Sequence, residues 1–96
     1  MIDVELAQYF DGPQWEAFLD AASSAVRPDH APLLTQLRDL GIPRDVATAL
    51  VGVFQNEAAV AWVQGPVPLL GDARPMDLVQ DRSGLKAVKV CIMRFP

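Results

Sequence analysis

Residues 58–84, AAVAWVQGPVPLLGDARPMDLVQDRSG, place two short apolar segments of helical spacing on either side of a loop rich in Gly and Pro. Gly65 ends the first segment, Pro66-Val67-Pro68 forces an extended connection, and Pro75 opens the second segment, where its missing N–H costs nothing. Trp62 sits near the end of the first segment. No ordinary catalytic signature has this layout. It reads as a packing and docking unit, and so points to a chain that works by binding another protein.

The rest of the chain is punctuated in the same way, and no segment has the period-2 alternation of a half-buried strand. Ile2 to Phe10 is expected to form a short first helix. Asp11 can cap the next one, which Pro13 enters and in which Trp15, Phe18, Leu19 and Ala22 share a face. Arg27-Pro28 should end it, because the residue before a proline is pushed out of the α region. Asp29 is the expected cap of a helix that turns Leu33, Leu34, Leu37 and Leu40 inward and stops at Gly41. Pro43 starts another, with Val46, Leu50, Val53 and Phe54 on its inner side. Asn56 can cap the segment that ends at Gly65, Pro75 opens one carrying Met76, Leu78 and Val79, and Ser83 is the expected cap of the last. There Leu85, Val88 and Ile92 share a face with Phe95.

The expectation is therefore an all-α fold, a compact bundle of six or seven short helices. With 96 residues and 51% hydrophobic content, the chain suits one domain, 1–96, and is too short for two cores. Within it, 1–56 form an N-terminal helical part and 57–96 a distinct docking motif.

Composition excludes several classes of function. Charge or Pro interrupts every apolar run, so none is long enough to span a bilayer. MIDVELAQYF has neither a basic start nor a continuous apolar stretch and is not expected to act as a signal peptide. Cys91 is the single cysteine, which excludes an internal disulfide and fits a reducing cytoplasm. His30 is the single histidine and reads as a helix-start residue rather than a general base, which needs a placed partner. No Cys/His spacing suits zinc, and Gly65, Gly71 and Gly84 build neither a phosphate loop nor a dinucleotide fingerprint. Asp77 and Asp81 lie one helical turn apart and are read as an exposed acidic face. No cofactor is expected and no catalysis.

Leu40 to Gly65 loosely resembles a helix-turn-helix, whose second helix would be Asn56 to Trp62. Such helices present basic or polar side chains to the major groove, and this one carries Glu57 with no Lys or Arg. Residues 1–57 hold nine acidic against three basic side chains, a net of −6, while 58–96 hold five basic against three acidic, a net of +2. An acidic half repels phosphate backbone, so nucleic-acid binding is not expected.

Residues 57–94 resemble the toxin-binding domain of the Xre/MbcA/ParS group of antitoxins. The likeness rests on Glu57-Ala58-Ala59, Trp62-Val63, Pro66 and Pro68, Leu70-Gly71, Pro75-Met76-Asp77-Leu78, Gly84, Val88 and Ile92. Asp72 departs from the family pattern, standing where a second Gly is usual, as do Ala73-Arg74 before the Pro. The resemblance implies a partner: a toxin of the RES-domain kind, which degrades NAD, neutralised by covering its active-site cleft. It leaves open an antitoxin or an immunity protein, and oligomers within the complex. A helix-turn-helix repressor and an effector adaptor or chaperone are the alternative classes. Trp62, Leu70, Pro75 and Leu78 are the motif residues expected to bind the toxin. Arg82, Lys86 and Lys89 recur at i, i+4 and i+7 on the last helix, and the tail Met93-Arg94-Phe95-Pro96 is expected to leave the body. Lys86, Lys89, Arg94, Phe95 and Pro96 are therefore further candidate contacts, Arg and aromatic side chains being enriched at interface hot spots.

Overall fold

Each helix starts where its first N–H groups find a partner or are removed. The computed structural model describes residues 5–95 and, among them, is all-α. Helix α1 (Gly12–Ser23) is capped by Asp11, whose Oδ1 accepts from the Gln14 N–H at 3.3 Å. It stops short of Arg27-Pro28, where the Ser23 and Ser24 hydroxyls both donate to the Asp20 carbonyl and compete with the helical ladder. Helix α2 (Ala31–Asp39) is not capped by Asp29, which falls inside a 3-10 turn, Pro28–His30. His30 is buried there, its Nδ1 accepting the Arg27 N–H at 3.0 Å. The ring is thus a satisfied turn anchor.

Helix α3 (Arg44–Phe54) follows Gly41, held at φ +88°, and the extended Pro43. Before α4 (Ala58–Gln64), the Asn56 side chain accepts from the Ala58 N–H at 2.8 Å, and Gly65 closes the helix. Helix α5 (Pro75–Leu78) opens on its proline. Helix α6 (Arg82–Met93) is capped by Asp81 rather than Ser83. The extended Asp81 brings its Oδ1 within 2.7 Å of the Gly84 N–H, whereas Ser83 already lies inside the helix. The first segment, Glu5–Tyr9, is a 3-10 turn. Ile2, Asp3 and Val4 of the expected first helix lie outside the described residues.

The core is organised around α3, which touches α1, α2, α4 and α6. Val46, Ala47, Ala49, Leu50 and Val51 are all 1% exposed or less, so α3 is covered on more than one side. The expected inner residue Val53 shares the face of Val46 and Leu50 but lies in the last turn of α3 and is 38% exposed. Leu37, Ile42, Leu70, Leu78, Val88 and Ile92 join the same cluster, which draws on both parts of the sequence. Two glycines set the crossings. A Cβ at Gly52 would fall inside the van der Waals shell of the Ala22 carbonyl, and one at Gly84 inside that of Leu78. Among the described residues, no helix is long and apolar enough to cross a membrane.

Between α4 and α5 the chain makes a 3-10 turn, Pro68–Leu70, and then a tight reversal. Gly71 and Asp72 are both left-handed, at φ +68° and +63°. The Ala73 N–H donates to the Leu70 carbonyl at 3.3 Å, and the Val67 N–H to the Ala73 carbonyl at 3.1 Å. A type I′ turn needs φ > 0 at both central positions, which is why a second glycine is at home beside Gly71. Asp tolerates the left-handed region at a modest penalty. Asp72→Gly is expected to raise stability by about 0.5 kcal/mol, read as a higher urea midpoint at an unchanged slope.

Candidate functional site

Three aromatic rings from separate elements meet at the surface. Phe54 ends α3, Trp62 lies on α4, and Phe95 follows α6. The Trp62 and Phe95 centroids are 5.2 Å apart and edge-on, Phe54 and Phe95 are 5.4 Å apart, and Phe54 and Trp62 are 6.4 Å apart. All three rings are half-buried, so each offers part of its face to solvent. Edge-to-face packing over such distances adds about 0.5–1.5 kcal/mol per pair beyond area burial. Phe95 therefore does not leave the body: two rings hold it. Arg94, exposed beside it, carries its guanidinium 5.2 Å from the Tyr9 centroid. This corrects the expectation of a free tail. Pro96 lies outside the described residues.

The other expected contacts separate into two environments. Leu70 and Leu78 are 1% exposed and Pro75 is fully buried, so all three shape the surface from beneath. Lys86 is exposed, with its ammonium 5.9 Å from the Phe10 centroid. Lys89 is largely enclosed, its side chain 15% exposed. Its Nζ lies 3.1 Å from Asp45 Oδ2 and over the rings of Phe10 at 5.5 Å and Trp15 at 5.3 Å. The basic face expected on α6 is thus partly covered by the N-terminal part of the chain.

Asp45 is the hub of that enclosed group. Its Oδ2 also accepts from Trp15 Nε1 at 3.1 Å, and its Oδ1 from the Val46 N–H at 2.9 Å. Burial alone would raise its carboxyl, but the Lys89 ammonium, the indole N–H and the amide outweigh it and hold the group below its usual range. Trp15 needs that acceptor, being 2% exposed with an indole donor to satisfy. Cys91 is buried in α6, and burial pushes its thiol up in pKa, only partly offset by Arg94. A thiol so placed holds little thiolate. Among the described residues, no three His, Cys, Asp or Glu side chains gather as a metal site would require.

Sequence reasoning missed Phe54 and Tyr9 as partners of the site. Helical spacing places Phe54 on the inner side of α3, and one side of it does pack against the core. Nothing local signals that Tyr9 meets Arg94, 85 positions away in sequence.

With the helices, the aromatic cluster and the exposed Arg94 in place, the family can be stated. The pattern of the antitoxin Xre/MbcA/ParS C-terminal toxin-binding domain matches residues 47–94, half of the chain, and the chain belongs to that family. The match begins within α3, ahead of the resemblance noted from residue 57, and takes in Phe54, Trp62 and Arg94. Neither curated proteins nor solved structures give a match to this chain. A toxin-binding domain implies a toxin partner, and every ring of the cluster except Phe95 lies within the matched residues.

Proposed function

We propose that this chain is an antitoxin or immunity protein that neutralises a RES-type, NAD-consuming toxin by covering its active-site cleft, and that it does so without catalysis or cofactor. The observation that carries the reading is the coincidence of the matched toxin-binding stretch with a surface of Trp62, Phe54, Phe95 and Arg94. Trp, Tyr and Arg dominate interface hot spots, and half-buried rings are already ordered before the partner arrives. Lys86 is an exposed cation on α6, the helix that leads into Arg94 and Phe95. Leu70, Pro75 and Leu78 contribute by fixing the helices that present these groups. The buried Cys91 and the satisfied His30 favour a protein without chemistry of its own.

A transcriptional repressor is the weaker reading. The helix-turn-helix read from the sequence would take α4 as its reading helix, and Ala58–Gln64 carries no Lys or Arg to present to a groove.

A RES-domain protein is expected in the reading frame beside this chain. The purified chain should suppress NAD consumption by that protein while consuming no NAD itself. Arg94→Glu should weaken inhibition by about tenfold, as loss of one charged hot spot implies. Full toxin activity in the presence of excess folded chain, or NAD turnover by the chain alone, overturns the proposal.

A further inference from the structure

The exposed face around Arg94 is not built by the matched stretch alone. The 3-10 turn Glu5–Tyr9, outside residues 47–94, lies against α6. Tyr9 and Phe10 are adjacent in sequence and take three successive cations along that helix. The Arg94 guanidinium lies over Tyr9 at 5.2 Å, and the ammonium groups of Lys89 and Lys86 lie over Phe10 at 5.5 and 5.9 Å. Phe10 is half-buried and has a packing reason to be there. Tyr9 does not: it is 59% exposed, so burial does not account for a large ring at that position. What it does make is a cation–π contact with a guanidinium that keeps its N–H donors available for an oxygen anion.

We infer that the docking surface of this chain extends past the family's stretch into its N-terminal turn, where Tyr9 is a positioning residue that holds the Arg94 guanidinium for a side-chain carboxylate on an acidic edge of the toxin. The inference rests on the antitoxin reading above. Charge complementarity selects the carboxylate. Residues 58–96 carry a net +2 in a chain of net −4, and Arg82 and Lys86 on α6 and Arg94 at its end are exposed cations. Long Arg side chains lose rotamer freedom on binding, about 0.5–1.5 kcal/mol for each one immobilised, and a ring that holds the guanidinium beforehand reduces that loss.

The experiment measures binding of the RES-domain protein encoded beside the chain, in a catalytically inactive form, by titration calorimetry. The partners are the unaltered full chain, Tyr9→Leu, Tyr9→Phe, Arg94→Ala and the Tyr9→Leu/Arg94→Ala double variant. Tyr9→Leu keeps an apolar side chain on the turn but has no π face. It is expected to weaken binding about fivefold with little change in thermal midpoint, while Tyr9→Phe retains the affinity of the unaltered chain. The double variant should bind no more weakly than Arg94→Ala, because Tyr9 acts through Arg94. Equal affinity for Tyr9→Leu and the unaltered chain overturns the inference, as does a Tyr9→Leu loss that persists in full on the Arg94→Ala background. Absence of binding by the unaltered chain overturns the antitoxin reading itself, and the inference with it.

Discussion

Gly84→Ala and Gly52→Ala are each expected to cost about 2–3 kcal/mol of folding stability. A methyl at Gly84 would overlap the Leu78 carbonyl, and one at Gly52 the Ala22 carbonyl. Both obstacles are backbone, so no side chain can swing aside. The helices must separate, at the cost typical of overpacked cores, and the gain of up to about 1 kcal/mol in helix propensity offsets only part of it. In a domain of this size, each kcal/mol lowers the thermal midpoint by roughly 4–8 °C, so a fall of about 10–20 °C is expected by circular dichroism at 222 nm. Gly12→Ala is the control. Nothing lies within 4 Å of a Cβ built there, and the change should be neutral or stabilising by up to about 1 kcal/mol. If the three variants melt together, close helix contact is not what Gly52 and Gly84 provide. The consequence reaches the docking surface, because Gly84 seats α6 on α5 and α6 leads directly into Arg94 and Phe95.

How much of this was legible beforehand follows from which signals are local. Asp11 before Pro13, Gly65 before Pro66 and Pro75 itself act within a turn of chain, and the helices they bound were read correctly. Caps were less secure, since both Asp81 and Ser83 can accept and only the backbone angles at Asp81 decide between them. Periodicity identified apolar faces but treated each helix as one-sided. It put Val53 inside, although the last turn of α3 leaves that residue partly exposed, and it gave no weight to Ala47, Ala49 and Val51, because a helix surrounded by four others buries more than one stripe. The motif residues Trp62, Leu70, Pro75 and Leu78 stood out for their type and order. Type and order cannot say that Trp62 faces partly outward while the other three are enclosed. The row of basic residues on α6 was legible too. Its partial cover by Phe10, Trp15 and Asp45 was not, because those contacts join distant segments.

Lys89→Met is expected to destabilise the fold by about 2 kcal/mol at neutral pH. The change keeps most of the side-chain volume but leaves Asp45 charged, with only the Trp15 indole and the Val46 amide to hold it. Removing one member of a fully buried pair costs about 3–5 kcal/mol, and the smaller figure reflects Asp45's side chain, which is 34% exposed and can recruit water. Asp45→Asn on the Lys89→Met background should recover part of the loss, since a neutral amide oxygen can still accept from Trp15. A double-mutant cycle with a coupling energy of about 1 kcal/mol is the expected reading, and strict additivity would show that the pair is incidental. Acid titration gives an independent check of sign. The folded-state pKa of Asp45 lies below its ordinary value, so its ionisation favours the folded state above the unfolded pKa of about 3.9. That contribution fades as pH falls below this value towards the folded pKa. The unaltered protein should therefore lose stability more steeply below about pH 4 than Asp45→Asn does, and the two profiles should run parallel above about pH 5. Identical acid limbs would mean that the Lys89 ammonium does not hold Asp45 in its charged form, and that α6 is seated on α3 by apolar packing alone.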